Sequence, residues 1–209
     1  MGLPDLAEDK SLPAIQSIRK SVARNVARPV IALLAKTPIT PNALTVSSLV
    51  VTLGAAVLVA TDHLVIAGFV VLFAAVFDIL DGALARSTNR VTRFGAALDS
   101  TLDRLAEGVI FIGLMIVYAR EQSLLGVALV GVAMISSLLV SYVRARAEGL
   151  GLECQVGIFT RSERIILLVV GLIFSGFGYV LAAALLVIAV FSSITVGQRL
   201  FLVWQKTKT

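Results

Sequence analysis

The sequence predicts an all-α fold: a polytopic membrane bundle of six transmembrane helices, preceded by an N-terminal amphipathic interfacial helix. Three observations predict it. Hydrophobic residues make up 58% of the 209-residue chain, and the mean hydropathy is +0.97, a composition of membrane-spanning chains rather than soluble domains. Apolar runs of crossing length recur, divided by short polar connectors. The basic residues gather at alternate connectors, the pattern of the positive-inside rule.

The elements follow in order. Residues 1–11 read as a frayed end with no structure of their own. Residues 12–36 are amphipathic: Ile15, Ile18, Val22 and Val26 recur at helical spacing, while Arg19, Lys20, Arg24 and Arg28 take the other face. Such a helix lies in the membrane interface against anionic headgroups or docks on a partner. No signal peptide is visible in this stretch, which has no apolar core. Thr40 then caps a helix with Pro41 at its first position. Spans are expected at 44–60, 64–85, 95–118, 124–145, 162–177 and 179–203, with Thr160 and Glu163 forming a capping box before the short fifth span. Residues 205–209 form a C-terminal tail, and 40–204 read as one membrane domain. Of the 18 lysines and arginines, only Arg120 falls outside the terminal segments and the second and fourth connectors. Both termini and those connectors are therefore expected in the cytoplasm. That distribution also explains the net charge of +5 without any nucleic-acid partner. The single cysteine, Cys154, excludes an intrachain disulfide. The single histidine, His63, reads as a turn residue, and Trp204 as an interfacial anchor.

One stretch concentrates chemistry. Residues 77–104 read FDILDGALARSTNRVTRFGAALDSTLDR. At about 100° per residue, Asp78, Asp81, Gly82 and Ala85 share an arc of about 100°, and Gly95, Asp99 and Asp103 a second arc of about 80°. A short connector allows two antiparallel helices to turn these stripes toward one another. Ionisable groups inside apolar spans are costly and mark function, and four carboxylates repel unless cations join them. Oxygen ligands alone, with no His or Cys nearby, favour two Mg²⁺ or Mn²⁺ ions, and bridged metals suit phosphoryl transfer. The competing reading is a set of helix-packing charges, but four acids with so few basic partners answer no packing need.

The spacing D-x2-D-G-x2-A-R-x8-G-x3-D-x3-D stands complete as Asp78, Asp81, Gly82, Ala85, Arg86, Gly95, Asp99 and Asp103. It resembles the signature of the CDP-alcohol phosphotransferases, integral membrane enzymes of phospholipid synthesis. The segments SYVRARAE, FTRSER and GQRLFLVW make the chain most similar to the actinobacterial phosphatidylinositol phosphate synthases, over about residues 40–204. The resemblance implies transfer of a phosphatidyl group from CDP-diacylglycerol, or a related CDP-lipid, to a phosphorylated alcohol, with release of CMP. It implies Asp78, Asp81, Asp99 and Asp103 around two metals, with Asp103 also the general base. It places the CDP-lipid against Gly82, Ala85, Arg86 and Gly95, with Asn42 and Thr45 touching the nucleotide. It assigns Arg144, Arg164 and Arg199 to the phosphate of inositol phosphate, with Arg161 as a fourth, since arginine grips phosphate in bidentate fashion. Each arginine taken singly is also what the positive-inside rule would supply. The lipid tails would stay in the bilayer, and a homodimer is expected. Two alternatives stand: glycerol 3-phosphate as the acceptor, giving phosphatidylglycerol phosphate, and a non-enzymatic cation-binding or transport protein, which would more often break its helices near the midplane.

Overall fold

The computed structural model describes residues 30–208. Among them every regular element is helical. A helical turn at residues 30–34 closes with the Thr37 hydroxyl donating to the Leu34 carbonyl at 2.7 Å. Six helices follow: α1 Pro41–Ala60, α2 Leu64–Ser87, α3 Arg93–Arg120, α4 Leu124–Gly149, α5 Arg161–Ile173 and α6 Val180–Thr207, with a 3₁₀ turn at Ser175–Phe177 before α6. The expected frayed end at 1–11 and most of the interfacial helix at 12–36 lie outside the described residues.

Local chemistry sets the boundaries. Thr40, Thr92 and Ser123 each accept a hydrogen bond from a backbone N–H three residues on, at 3.2, 2.9 and 3.1 Å, satisfying donors that a helix N-terminus leaves open. At α5 the Thr160 N–H donates to the Glu163 carboxylate at 2.8 Å, within the expected capping box. Helices α1 to α4 share one way of stopping. The residues after their C-caps, Asp62, Asn89, Gln122 and Gly151, have φ of 67°, 53°, 56° and 75°. In each case the next N–H returns to the third-last helical carbonyl: His63 to Leu58, Arg90 to Ala85, Ser123 to Tyr118 and Leu152 to Ala147. This is the Schellman closure. After α1, α2 and α3 it reverses the chain within a few residues.

The helices pack as a ring in the order α1, α2, α5, α6, α4, α3. Its interior is apolar away from the connectors, with Val59, Ile110, Phe111, Leu114, Leu168, Leu172, Leu185 and Ile188 all buried. The outer faces carry exposed Val50, Val57, Phe69, Phe73, Ile112 and Leu186, as suits helices solvated by lipid. Small residues let backbones meet, the usual device of membrane helices. A Cβ on Gly113 would lie 2.9 Å from the Ala56 carbonyl oxygen and 3.0 Å from a Val59 methyl, so α1 and α3 touch there.

Four helices, α1, α2, α4 and α6, are long and apolar enough to cross a membrane. The other two expected spans differ, for distinct reasons. Helix α3 has 28 residues but carries Asp99, Asp103 and Arg104 in its first half and Glu107 just beyond. Helix α5 stops at Ile173 instead of running through 162–177. Its 13 residues rise only about 20 Å against a hydrocarbon core of about 30 Å. The break precedes Gly176 and Gly178, where φ reaches 63° at Gly178. The C-terminal tail also begins later than expected: α6 runs to Thr207, held by Phe201 stacking on Trp204, by Lys208 Nζ 3.8 Å from the Trp204 ring centre, and by Lys206 donating to the Glu153 carbonyl at 3.0 Å.

The α1–α3 contact yields a direct test. Gly113→Leu should lower the unfolding midpoint in detergent, an overpacking cost of about 1–3 kcal/mol. Gly54→Leu, where nothing lies within 4 Å of the added Cβ, should leave the midpoint unchanged.

Candidate active site

Helix α2 brings Asp78 and Asp81 to its C-terminal half, and α3 brings Asp99 and Asp103 to its N-terminal half. The αL residue Asn89 and the Thr92 cap close the connector between them. Asp78, Asp99 and Asp103 each offer a carboxylate oxygen, and the three oxygens lie within 4.8 Å of one another. Asp81 stands apart from this trio. It is 4% exposed, and one of its oxygens accepts a hydrogen bond from the Thr45 hydroxyl at 2.6 Å. The four expected carboxylates are thus a cluster of three with a fourth one helical turn away. A donor set of carboxylate oxygens alone fits a hard dication such as Mg²⁺ or Mn²⁺.

A basic partner for these acids comes from 83 residues beyond Asp78. Arg161, the first residue of α5, reaches Asp78 Oδ2 through Nη1 at 2.8 Å and Asp103 Oδ1 through Nη2 at 2.8 Å. One guanidinium therefore ties α2, α3 and α5 together. Beneath it is a small cavity of about 40 Å³ whose polar lining comes from Thr45, Ser48, Thr52, Asp78, Asp103, Glu107 and Arg161. One turn further along α3 and α5, Arg164 meets Glu107: Nε to Oε1 is 2.7 Å and Nη2 to Oε2 is 3.0 Å. Sequence reasoning passed over Glu107. Its signal was the continuation of the Asp99, Asp103 stripe by four more residues, a signal weakened because lone glutamates on helices are commonplace.

An open groove of about 280 Å³ is lined by Asn42, Thr45, Asp81, Gly82, Ala85, Arg86, Gly95 and Asp99 among others. Every residue expected to meet the CDP-lipid borders it. The small residues have visible uses. The Arg86 guanidinium lies over Gly82, 3.3 Å from where a Cβ would be, and the Asn42 side-chain oxygen sits 3.1 Å from the corresponding point on Gly95. Side chains at either position would close the groove or push α1 from α3.

The expected acceptor arginines occupy varied settings. Arg164 is 1% exposed and Arg199 4%. Arg199 donates through Nε to the Val156 carbonyl at 2.9 Å, and through Nη1 to the Val140 carbonyl. Arg144 is half-exposed and pairs with Glu148 at 2.8 Å. Arg161 belongs to the carboxylate cluster, while Arg164 is paired with Glu107 and Arg199 with backbone carbonyls.

The Thr45–Asp81 bond can be weighed directly. Thr45→Val keeps the shape but leaves a buried carboxylate without its donor, so the unfolding midpoint should fall by the equivalent of about 1–3 kcal/mol. Thr45→Ser should retain most of it.

Comparison with known proteins agrees with this geometry. The family model for CDP-alcohol phosphatidyltransferases matches residues 38–197. The chain is 41% identical over 181 residues to the phosphatidylinositol phosphate synthase of Mycobacteroides abscessus, covering 84% of this chain and 82% of that one. Its fold is similar to that of the Mycobacterium tuberculosis phosphatidylinositol phosphate synthase. The crystal structure with CDP-DAG bound superposes with a TM-score of 0.81 at 33% identity, covering 86% of this chain and 94% of that one. The structure in complex with manganese and citrate gives 0.76 at 34% identity, with 87% and 88% covered. With the full eight-residue signature, the three-carboxylate cluster and a family match over most of its length, this chain belongs to the CDP-alcohol phosphatidyltransferase family.

Proposed function

We propose that the protein transfers the phosphatidyl group from CDP-diacylglycerol to inositol phosphate, forming phosphatidylinositol phosphate and releasing CMP. The observation that carries this is the meeting of Asp78, Asp99 and Asp103 within 4.8 Å, at the edge of the groove that holds the signature's small residues. The named relatives and the bound CDP-DAG of the similar structure support the same substrates.

In this reading Asp78, Asp81, Asp99 and Asp103 hold two divalent ions, consistent with the manganese in the similar structure. When bound, such ions lower the charge of a diphosphate and make its phosphorus a better electrophile. The chain's own groups do the rest. Asn42, Thr45, Gly82, Ala85 and Gly95 seat the cytidine end in the groove, with Arg86 facing a phosphate. Asp103 accepts the proton of the acceptor hydroxyl as the new oxygen–phosphorus bond forms and the bond to CMP breaks. Arg144, Arg164 and Arg199 bind the acceptor's phosphate, and Arg161 sets the charge of Asp78 and Asp103. Residues 40–204 are the transferase domain. All six helices cross the bilayer, with the polar first half of α3 and the start of α5 at the cytoplasmic surface. Both chain ends are cytoplasmic, and two copies associate.

Purified protein in detergent–lipid micelles with CDP-diacylglycerol and Mg²⁺ should release CMP with inositol phosphate. Release with glycerol 3-phosphate instead would reassign the arginine site, and CMP release with neither acceptor would remove the transferase reading. Asp103→Asn should lower kcat by about 10²–10⁴-fold while CDP-lipid binding persists. Asp99→Asn should weaken Mn²⁺ binding, followed by the Mn²⁺ resonance signal, whether or not substrate is present.

A further inference from the structure

Glu107 and Arg164 form an ion pair with almost no access to solvent: their side chains are 3% and 1% exposed. Such a pair is a poor device for stability, because desolvating two charges offsets most of their attraction, and apolar residues often do as well. The geometry also leaves a debt. Glu107 engages Nε and Nη2 of Arg164, and Nη1 is buried with no hydrogen-bond partner. A charged donor in that condition costs more than an ordinary unmade bond, and a buried orphan of this kind calls for an explanation. Neighbouring groups do not supply one. Arg161, one turn before Arg164, is held by Asp78 and Asp103. Arg199 is itself a donor, held by the Val156 and Val140 carbonyls, and Arg144 pairs with Glu148.

We infer that Glu107 is a positioning residue for the acceptor. Its carboxylate grips one edge of the Arg164 guanidinium and fixes the plane of the fork, so that Nη1 is the arm left to donate to the acceptor's phosphate. The pair lies one helical turn beyond the Asp103–Arg161 pair on both α3 and α5. The two ion pairs thus bridge the same two helices as consecutive rungs, the first at the reacting hydroxyl's base and the second at the acceptor's anion. A free guanidinium on a long stem would have to be ordered on each binding event; one already held by Glu107 would not. The inference rests on the proposed assignment of Arg164 to the acceptor phosphate.

The test is a double-mutant cycle on CMP release, with the KM for inositol phosphate, the KM for CDP-diacylglycerol and kcat measured separately. Glu107→Gln should raise the acceptor KM about tenfold or more, leaving the CDP-lipid KM and the kcat at saturating acceptor within about threefold. Arg164→Gln should raise the acceptor KM further, and the double variant should match Arg164→Gln alone, since Glu107 acts only through Arg164. Glu107→Asp, too short to span the fork, should behave as Glu107→Gln does. An unchanged acceptor KM in Arg164→Gln would overturn the assignment of Arg164 itself. A raised KM in Arg164→Gln with a normal one in both Glu107 variants would overturn the positioning role alone, as would additive effects in the double variant. If both Glu107 variants unfold, or lose kcat and both KM values together with thermal stability, the pair is structural and the inference fails.

Discussion

The rest of the molecule depends on the neutralisation of buried and half-buried carboxylates at one end of an apolar bundle. Asp78, Asp81, Asp99 and Asp103 stand on two helices that are otherwise suited to lipid, and like charges so close cannot all persist without compensation. Arg161 meets two of them at 2.8 Å, Thr45 donates to a third, and the set is suited to hard dications. Because Arg161 opens α5, satisfying these charges also pins α5 against α2 and α3. The break that follows Ile173 then acquires a reason. Helix α5 starts where its two arginines can reach acids on α3, and the 3₁₀ turn Ser175–Phe177 makes up part of the remaining depth.

Precision at this site is assembled from local devices. Threonine caps start α1 and α3, and Schellman closures end α1 to α4, so the stripes on α2 and α3 face each other across a connector of five residues, 88–92. Close backbone approach fixes the spacing at Gly113 against Ala56 deep in the bundle, and the Asn42 side chain packs over Gly95 at the groove. The groove and the small cavity share Thr45, with Asp81 and Asp99 bordering the first and Asp78 and Asp103 the second.

Much of the site was legible in the sequence because its spacing is itself geometric. The 3.6-residue period places Asp78, Asp81, Gly82 and Ala85 on one face, and Gly95, Asp99 and Asp103 on another. Thr40-Pro41 and Thr160 to Glu163 announce helix starts by side-chain chemistry alone. Less was legible where a partner lies far along the chain. Arg161 and Arg164 read equally well as positive-inside charge; only packing reveals that one spans Asp78 and Asp103 and the other locks onto Glu107. Asp81 separates from the other three acids because Thr45, from α1, occupies that side of α2.

The sequence by itself determined the all-helical class, the apolar composition, the antiparallel turn between the two acidic stripes and the identity of the acids, because each follows from local periodicity, capping and solvation cost. Tertiary structure decided which cation answers which carboxylate, where α5 stops, and why Glu107 belongs with the site. Those outcomes depend on the register between helices distant in the chain. That register is set by the packing of the whole ring, where a shift of one helical turn would give Arg161 and Arg164 different partners.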